Sequence, residues 1–168
     1  MPMSEPVYVD RGASFDRSGR YRYRLWRSWD RDGPWLLFVM LNPSTADAEK
    51  LDSTVRRCVG FAQRWGYGAI EVANIFALRS TDPRHLYRVE DPIGPENDRF
   101  IEDAARRSRT VIAAWGLHGR LHGRGDQVVE LVTRHANLYV LRRTRDGHPG
   151  HPLYLPRSVT PVLFRRRK

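Results

Sequence analysis

The run from Leu36 to Leu41, closed by Asn42-Pro43, constrains this chain more than any other stretch. Six consecutive residues without a polar side chain require a strand covered on both faces, as inside a parallel or mixed sheet. Pro43 has no N–H to offer a ladder, so the chain turns there. In open α/β sheets the crevice beyond the carboxyl ends of the strands is the usual ligand site, which makes Asn42, Ser44, Thr45 and Asp47 the first candidate functional residues. The competing reading of the same residues is a polar loop in which Ser44 or Asp47 caps a helix.

Other segments supply neighbours for that strand. In YRYRLWRSW, Tyr21, Tyr23, Leu25 and Trp29 alternate with Arg22, Arg24 and Ser28, and the Asp30-to-Pro34 turn leads into Trp35. This predicts an antiparallel hairpin over Tyr21 to Leu41 with a solvated arginine face. Val55, Cys58, Val59, Ala62 and Trp65 recur at helical spacing over Ser53 to Arg64, with Asp52 or Ser53 as N-cap. Further buried strands are expected at Ala69–Phe76, which contains Glu71 and ends near Asn74, at Thr110–Trp115, and at Leu138–Leu141. Helices are expected from about Pro95 and from about Asp126 to His135, while the Pro-rich segment between Leu78 and Asp98 reads as a long functional loop.

Together these elements predict a single α/β domain over residues 1–168. It is a three-layer α/β/α sandwich with a mainly parallel four-stranded central sheet and one antiparallel strand from the N-terminal hairpin. Residues 1–19 read as a loose arm or edge segment, and 165–168 as a basic tail. The polar residues fall just after strands: Asn42 to Asp47, Asn74, Trp115 to Gly119, and His148 to Tyr154. One crevice could collect them.

Charge narrows the partners. The chain carries 29 basic and 19 acidic residues, a formal +10. That balance suits a nucleic acid or nucleotide, although an arginine-biased genome writes the same composition on an ordinary surface. Arg142, Arg143 and Arg145, beside the histidine loop, are the candidate phosphate contacts. No apolar run is long enough to cross a bilayer and the N-terminus lacks a signal-peptide layout, so a cytoplasmic protein is expected. The lone Cys58 excludes a disulfide framework and a cysteine-based zinc site, the histidines match no standard metal spacing, and neither metal nor cofactor is called for. Gly116, Gly119, Gly123 and Gly125 lack the Lys-Ser or Lys-Thr pair of a phosphate loop.

LNPSTAD, the DSTVRRC stretch, WGYG, NIFALRSTDP, GPEND, AWG and HPLYL together resemble the bacterial domain-of-unknown-function family 1643, from about Tyr21 to Pro156. A more distant resemblance is to the uracil-DNA glycosylase superfamily. Leu41-Asn42-Pro43 is similar to its motif after the first central strand, and Asn74 to its strand-end Asn that reads a pyrimidine edge. Trp115-Gly116 is similar to its Trp-Gly, and His151-Pro152-Leu153 to its His-Pro-Ser loop. Asn42 stands where the classical branch has a catalytic Asp, no stacking aromatic follows the first motif, Leu153 replaces the Ser, and His148-Pro149 duplicates the His-Pro. An iron–sulfur cluster is excluded by the single cysteine.

The resemblance implies a nucleobase-processing hydrolase of the DNA-glycosylase type. Asn42 or Asp47 would hold water and His151 would donate to the departing base. Asn74, Ser44, Thr45, Trp115, His148 and Tyr154 would surround the base, which is carried by DNA rather than RNA or by a free nucleotide. The alternative is a module that binds a nucleotide or nucleic acid in the same crevice without chemistry; a monomer is expected under either reading.

Overall fold

The structure, a computed structural model, describes residues 4–168. It is a mixed α/β fold of seven strands and three α-helices: β1 (Asp10–Phe15), β2 (Arg22–Ser28), β3 (Trp35–Met40), α1 (Ser53–Arg64), β4 (Ala69–Asn74), α2 (Asn97–Arg107), β5 (Thr110–Ala113), α3 (Arg124–Thr133), β6 (Leu138–Val140) and β7 (Val162–Arg165). The sheet runs β1-β2-β4-β3-β5-β6-β7. β3 lies parallel to β4 and β5, β5 lies parallel to β6, and β1, β2 and β7 pair antiparallel.

The apolar run behaves as its composition demands. Leu36, Phe38 and Met40 pack with Val55, Cys58, Val59 and Ala62 of α1 on one face. Leu37 and Val39 pack with Ile101 and Ala104 of α2 and Val128 and Val132 of α3 on the other. Asp52 caps α1, its Oδ1 accepting from Val55 N–H at 2.9 Å.

The hairpin expected between Tyr21 and Leu41 does not form. β2 pairs with β1 and β4, never with β3. The crossover through α1 lays β4 directly against β3, and this parallel neighbour displaces β2 one position outward. The sheet also has more antiparallel strands than expected, because residues 10–15 and 162–165 pair at its two edges. Within the polar loop, residues 83–87 form a 3-10 turn whose first N–H groups are met by Asp82.

Nor is the arginine face of β2 solvated. Ser14 of β1 pairs with Arg24, but Phe15 pairs with Arg22, so Tyr23 is the extra residue of a β-bulge. A bulge reverses the alternation of side chains. Arg24 therefore turns to Glu71, with Nε 2.6 Å from Oε1, while Arg22 turns to the end of the sheet where Nη1 donates to Ala46 O at 2.8 Å. Among the described residues no helix is long and apolar enough to cross a membrane.

Candidate functional site

A crevice of about 360 Å³ opens where β3, β4 and β5 end. Its walls include Asn42 and Ser44 after β3, Asn74 at the end of β4, Trp115 after β5 and His151 beyond β6. These five candidates, 109 positions apart at the extremes of the chain order, are brought together because parallel strands end at the same side of a sheet.

Asn74 is the most unusual of them. The residue is 1 % exposed, yet neither Nδ2 nor Oδ1 has a hydrogen-bond partner. An unpaired buried polar group costs about 1–3 kcal/mol, and such groups in native proteins call for an explanation. Its backbone is held firmly: Asn97, at the start of α2 and fully buried, donates Nδ2–H to Asn74 O at 2.7 Å and to Ile75 O at 3.2 Å. The amide is thus fixed in position while its own donor and acceptor stay free.

Asn42 differs. Its Nδ2 donates to Ser80 O at 2.8 Å, and also reaches Pro43 O and Leu78 O, so the amide nitrogen ties the loop after β4 to the end of β3. Only Oδ1 is left for a ligand or water. His151 Nδ1 accepts from Leu153 N–H at 3.2 Å. The neutral ring therefore carries its proton on Nε2 as a donor. Desolvation holds its pKa below the ordinary histidine value, with Asp52 opposing weakly.

Trp115 is buried and its indole lies on the backbone of the glycine-rich segment. A Cβ at Gly119 would sit 2.3 Å from Trp115 Cδ1, so close approach of the indole, not phosphate binding, accounts for this glycine.

Arg22, which alternation placed on a solvated face, also lines the crevice, together with Asp52 and His118. Arg22 is 2 % exposed, and desolvation lowers its pKa to about 10 against the favourable charge of Asp52. Only the bulge at Tyr23 could have revealed it, and bulges leave no pattern in alternation. Asp52, the sole carboxylate on these walls, was legible as the N-cap of α1. His118 has Nδ1 3.0 Å from Tyr87 Oη.

The remaining candidates lie outside the crevice. Asp47 turns back on its own loop, its Oδ1 accepting from Glu49 and Lys50 N–H at 2.8 Å each, and these bonds lower its pKa. Thr45 is exposed. His148 faces a second cavity of about 480 Å³ on the far side of Trp115, with Asp126 and Glu130. Tyr154 is 92 % exposed at φ 70°. Arg142, Arg143 and Arg145 are exposed, and the Arg143 guanidinium lies 5.2 Å from the Phe164 ring.

No curated protein and no solved structure matches the chain. The model of a family described as proteins of unknown function, DUF1643, matches residues 22–153, a span that holds every wall of the crevice, and the chain belongs to that family.

Proposed function

We propose that the crevice receives a nucleobase and that the protein hydrolyses the N-glycosidic bond of an altered base, in DNA or in a nucleotide, in the cytoplasm. The observation that carries this reading is the buried, unpartnered amide of Asn74. A fixed amide offers a donor and an acceptor side by side, the complement of a base's hydrogen-bonding edge. A base entering the crevice would satisfy both atoms at once, which explains why they are left free.

The other walls suit the chemistry. As the glycosidic bond breaks, negative charge develops on the departing base, and His151 Nε2–H is a neutral donor able to meet it. Asp52, with Oδ1 engaged by the helix, has a second oxygen for holding the attacking water, and Asn42 Oδ1 is the alternative holder. Helices on both faces of parallel strands β4-β3-β5-β6, with Asn42, Asn74, Trp115 and His151 at their carboxyl ends, support the likeness to the sandwich of the uracil-DNA glycosylase superfamily.

A second reading, base binding without hydrolysis, is favoured by two observations: the Asn42 amide nitrogen is committed to backbone, and Asp47 is folded onto its own turn. The test is abasic-site formation on oligonucleotides carrying uracil, hydroxymethyluracil or hypoxanthine, with nucleotides of the same bases in parallel. Base release that falls about 10–100-fold in Asn74→Ala and His151→Ala supports the hydrolase. Tight binding without release would leave the binding module. Unchanged binding and release in both variants would remove the crevice from consideration.

A further inference from the structure

A groove of about 310 Å³ runs along the outer face of α1, lined by Arg56, Arg57, Arg64 and Arg157 with Phe61 and Gly60 between them. Among the described residues no carboxylate pairs with Arg57, Arg64 or Arg157, and the nearest to Arg56 is Glu5 at 3.9 Å. Four guanidinium groups lining one groove make it cationic and suited to an anion. Their arrangement is also built. Arg57 donates to Leu155 O and stacks over the Phe61 ring at 5.0 Å, leaving its Nε buried without a partner. Arg64 Nη1 donates to Arg157 O at 2.6 Å, and Phe61 stacks on Trp65.

The groove adjoins the crevice. Ser53 lines the groove while its chain neighbours Asp52 and Thr54 line the crevice. The loop after β6 sends His151 to the crevice and Arg157 to the groove. One wall, made of the start of α1 and residues 151–157, therefore divides the crevice, where Arg22 is balanced by Asp52, from a cationic channel.

We propose that the ligand is a single-stranded or locally opened DNA strand whose phosphates lie in the α1 groove while one base occupies the crevice. The inference rests on the base-binding reading of the crevice and selects a polynucleotide over a free nucleotide. A mononucleotide carries its phosphate within one residue of the base and leaves most of the groove empty; a strand fills it. Gly60 forms the open floor, and a Cβ there meets nothing within 4 Å. The floor can therefore be altered without disturbing the helix.

The test is fluorescence anisotropy of the full chain with a labelled single-stranded oligodeoxynucleotide of about ten nucleotides, a length within the usual site sizes of single-strand binders. Deoxynucleoside monophosphate and poly-glutamate serve as competitors. Each arginine–phosphate contact on a single strand contributes about 0.7 to the salt slope. Arg56→Gln with Arg64→Gln should therefore lower the slope by about 1.4 and weaken binding about 25-fold at 0.1 M salt. Gly60→Glu should weaken the oligonucleotide equally while leaving the monophosphate unaffected. Three results would overturn the proposal: monophosphate binding as tightly as the strand, poly-glutamate competing as well as DNA, or the arginine and glycine variants keeping wild-type affinity and slope. Asn74→Ala separates the two readings. If it is silent while the groove variants lose binding, the groove stands and the crevice reading fails. If it abolishes binding while the groove variants are silent, the groove fails alone.

Discussion

Asn97 links the fold to the candidate site, and its replacement has a calculable consequence. Asn97→Ala removes the donor to Asn74 O and to Ile75 O. Ile75 O keeps a second donor, Arg124 Nε at 2.7 Å, so the carbonyl left orphaned is that of Asn74. One buried acceptor without a partner costs about 1–3 kcal/mol. The substitution also removes Asn97 Oδ1, itself buried and unpartnered, which offsets part of that loss. The net expectation is about 1–2 kcal/mol, or roughly 2–8 °C in melting temperature for a domain of this size. Asn97→Asp has nearly the same shape but replaces the donor with an acceptor and buries a charge against two carbonyls. It should be worse, by about 3 kcal/mol or more at pH 7. Asn74→Ala, whose side chain makes no bond, should leave stability within about 0.5 kcal/mol of wild type, or raise it. Urea unfolding of the three variants at pH 7, with the slope of the transition checked for constancy, provides the measurement. If Asn97→Asp is as stable as Asn97→Ala, or either matches wild type, the bond from α2 to the end of β4 is not what holds Asn74 in place.

Glu71 is fully buried between Arg24 and Arg107, each 2.6 Å from Oε1. Both guanidinium groups reach solvent, so Glu71→Gln should cost about 1–3 kcal/mol rather than the larger loss of a wholly enclosed pair, read by urea unfolding. Gly119→Ala should push the Trp115 indole aside, shifting its fluorescence and destabilising by about 1–3 kcal/mol, whereas Gly60→Ala should stabilise α1 by about 0.5–1 kcal/mol. The lowered pKa of His151 implies that the folded chain binds fewer protons there than the unfolded chain. Its contribution to stability is complete above the unfolded value of about 6.5 and is lost as pH falls through the folded value. NMR titration should give a midpoint below that reference, and a midpoint at or above it would contradict the desolvation of the ring at the crevice.

Much of the architecture could be read from local pattern. Helix α1 was expected at Ser53–Arg64 and is found there, because its apolar spacing and its Asp cap act within a few residues. Strands β4, β5 and β6 start where their apolar runs start, at Ala69, Thr110 and Leu138. The start of α2 was expected near Pro95 and lies at Asn97, whose side chain bonds the end of β4 instead of its own helix. Asn42, Ser44, Asn74, Trp115 and His151 are candidates by their position after strands, and the crevice contains all five.

What the sequence determined by itself was whatever short-range physics decides: which segments are strands or helices, and that Leu36–Met40 must be covered on both faces. The neighbours of each strand were decided only in three dimensions. β4 took the place beside β3 that β2 was expected to hold, because a crossover geometry, not chain proximity, sets adjacency in a parallel sheet. The bulge at Tyr23 then carried Arg22 into the crevice, although alternation placed it with Arg24 on a solvated face. Turn hydrogen bonds drew Asp47 away from that crevice and left Asp52 as its carboxylate. Whether a polar side chain is spent on the protein's own backbone or left free depends on partners tens of residues away. Asn42 and Asn74 look alike in the sequence; only the folded chain shows that the first is engaged and the second is free.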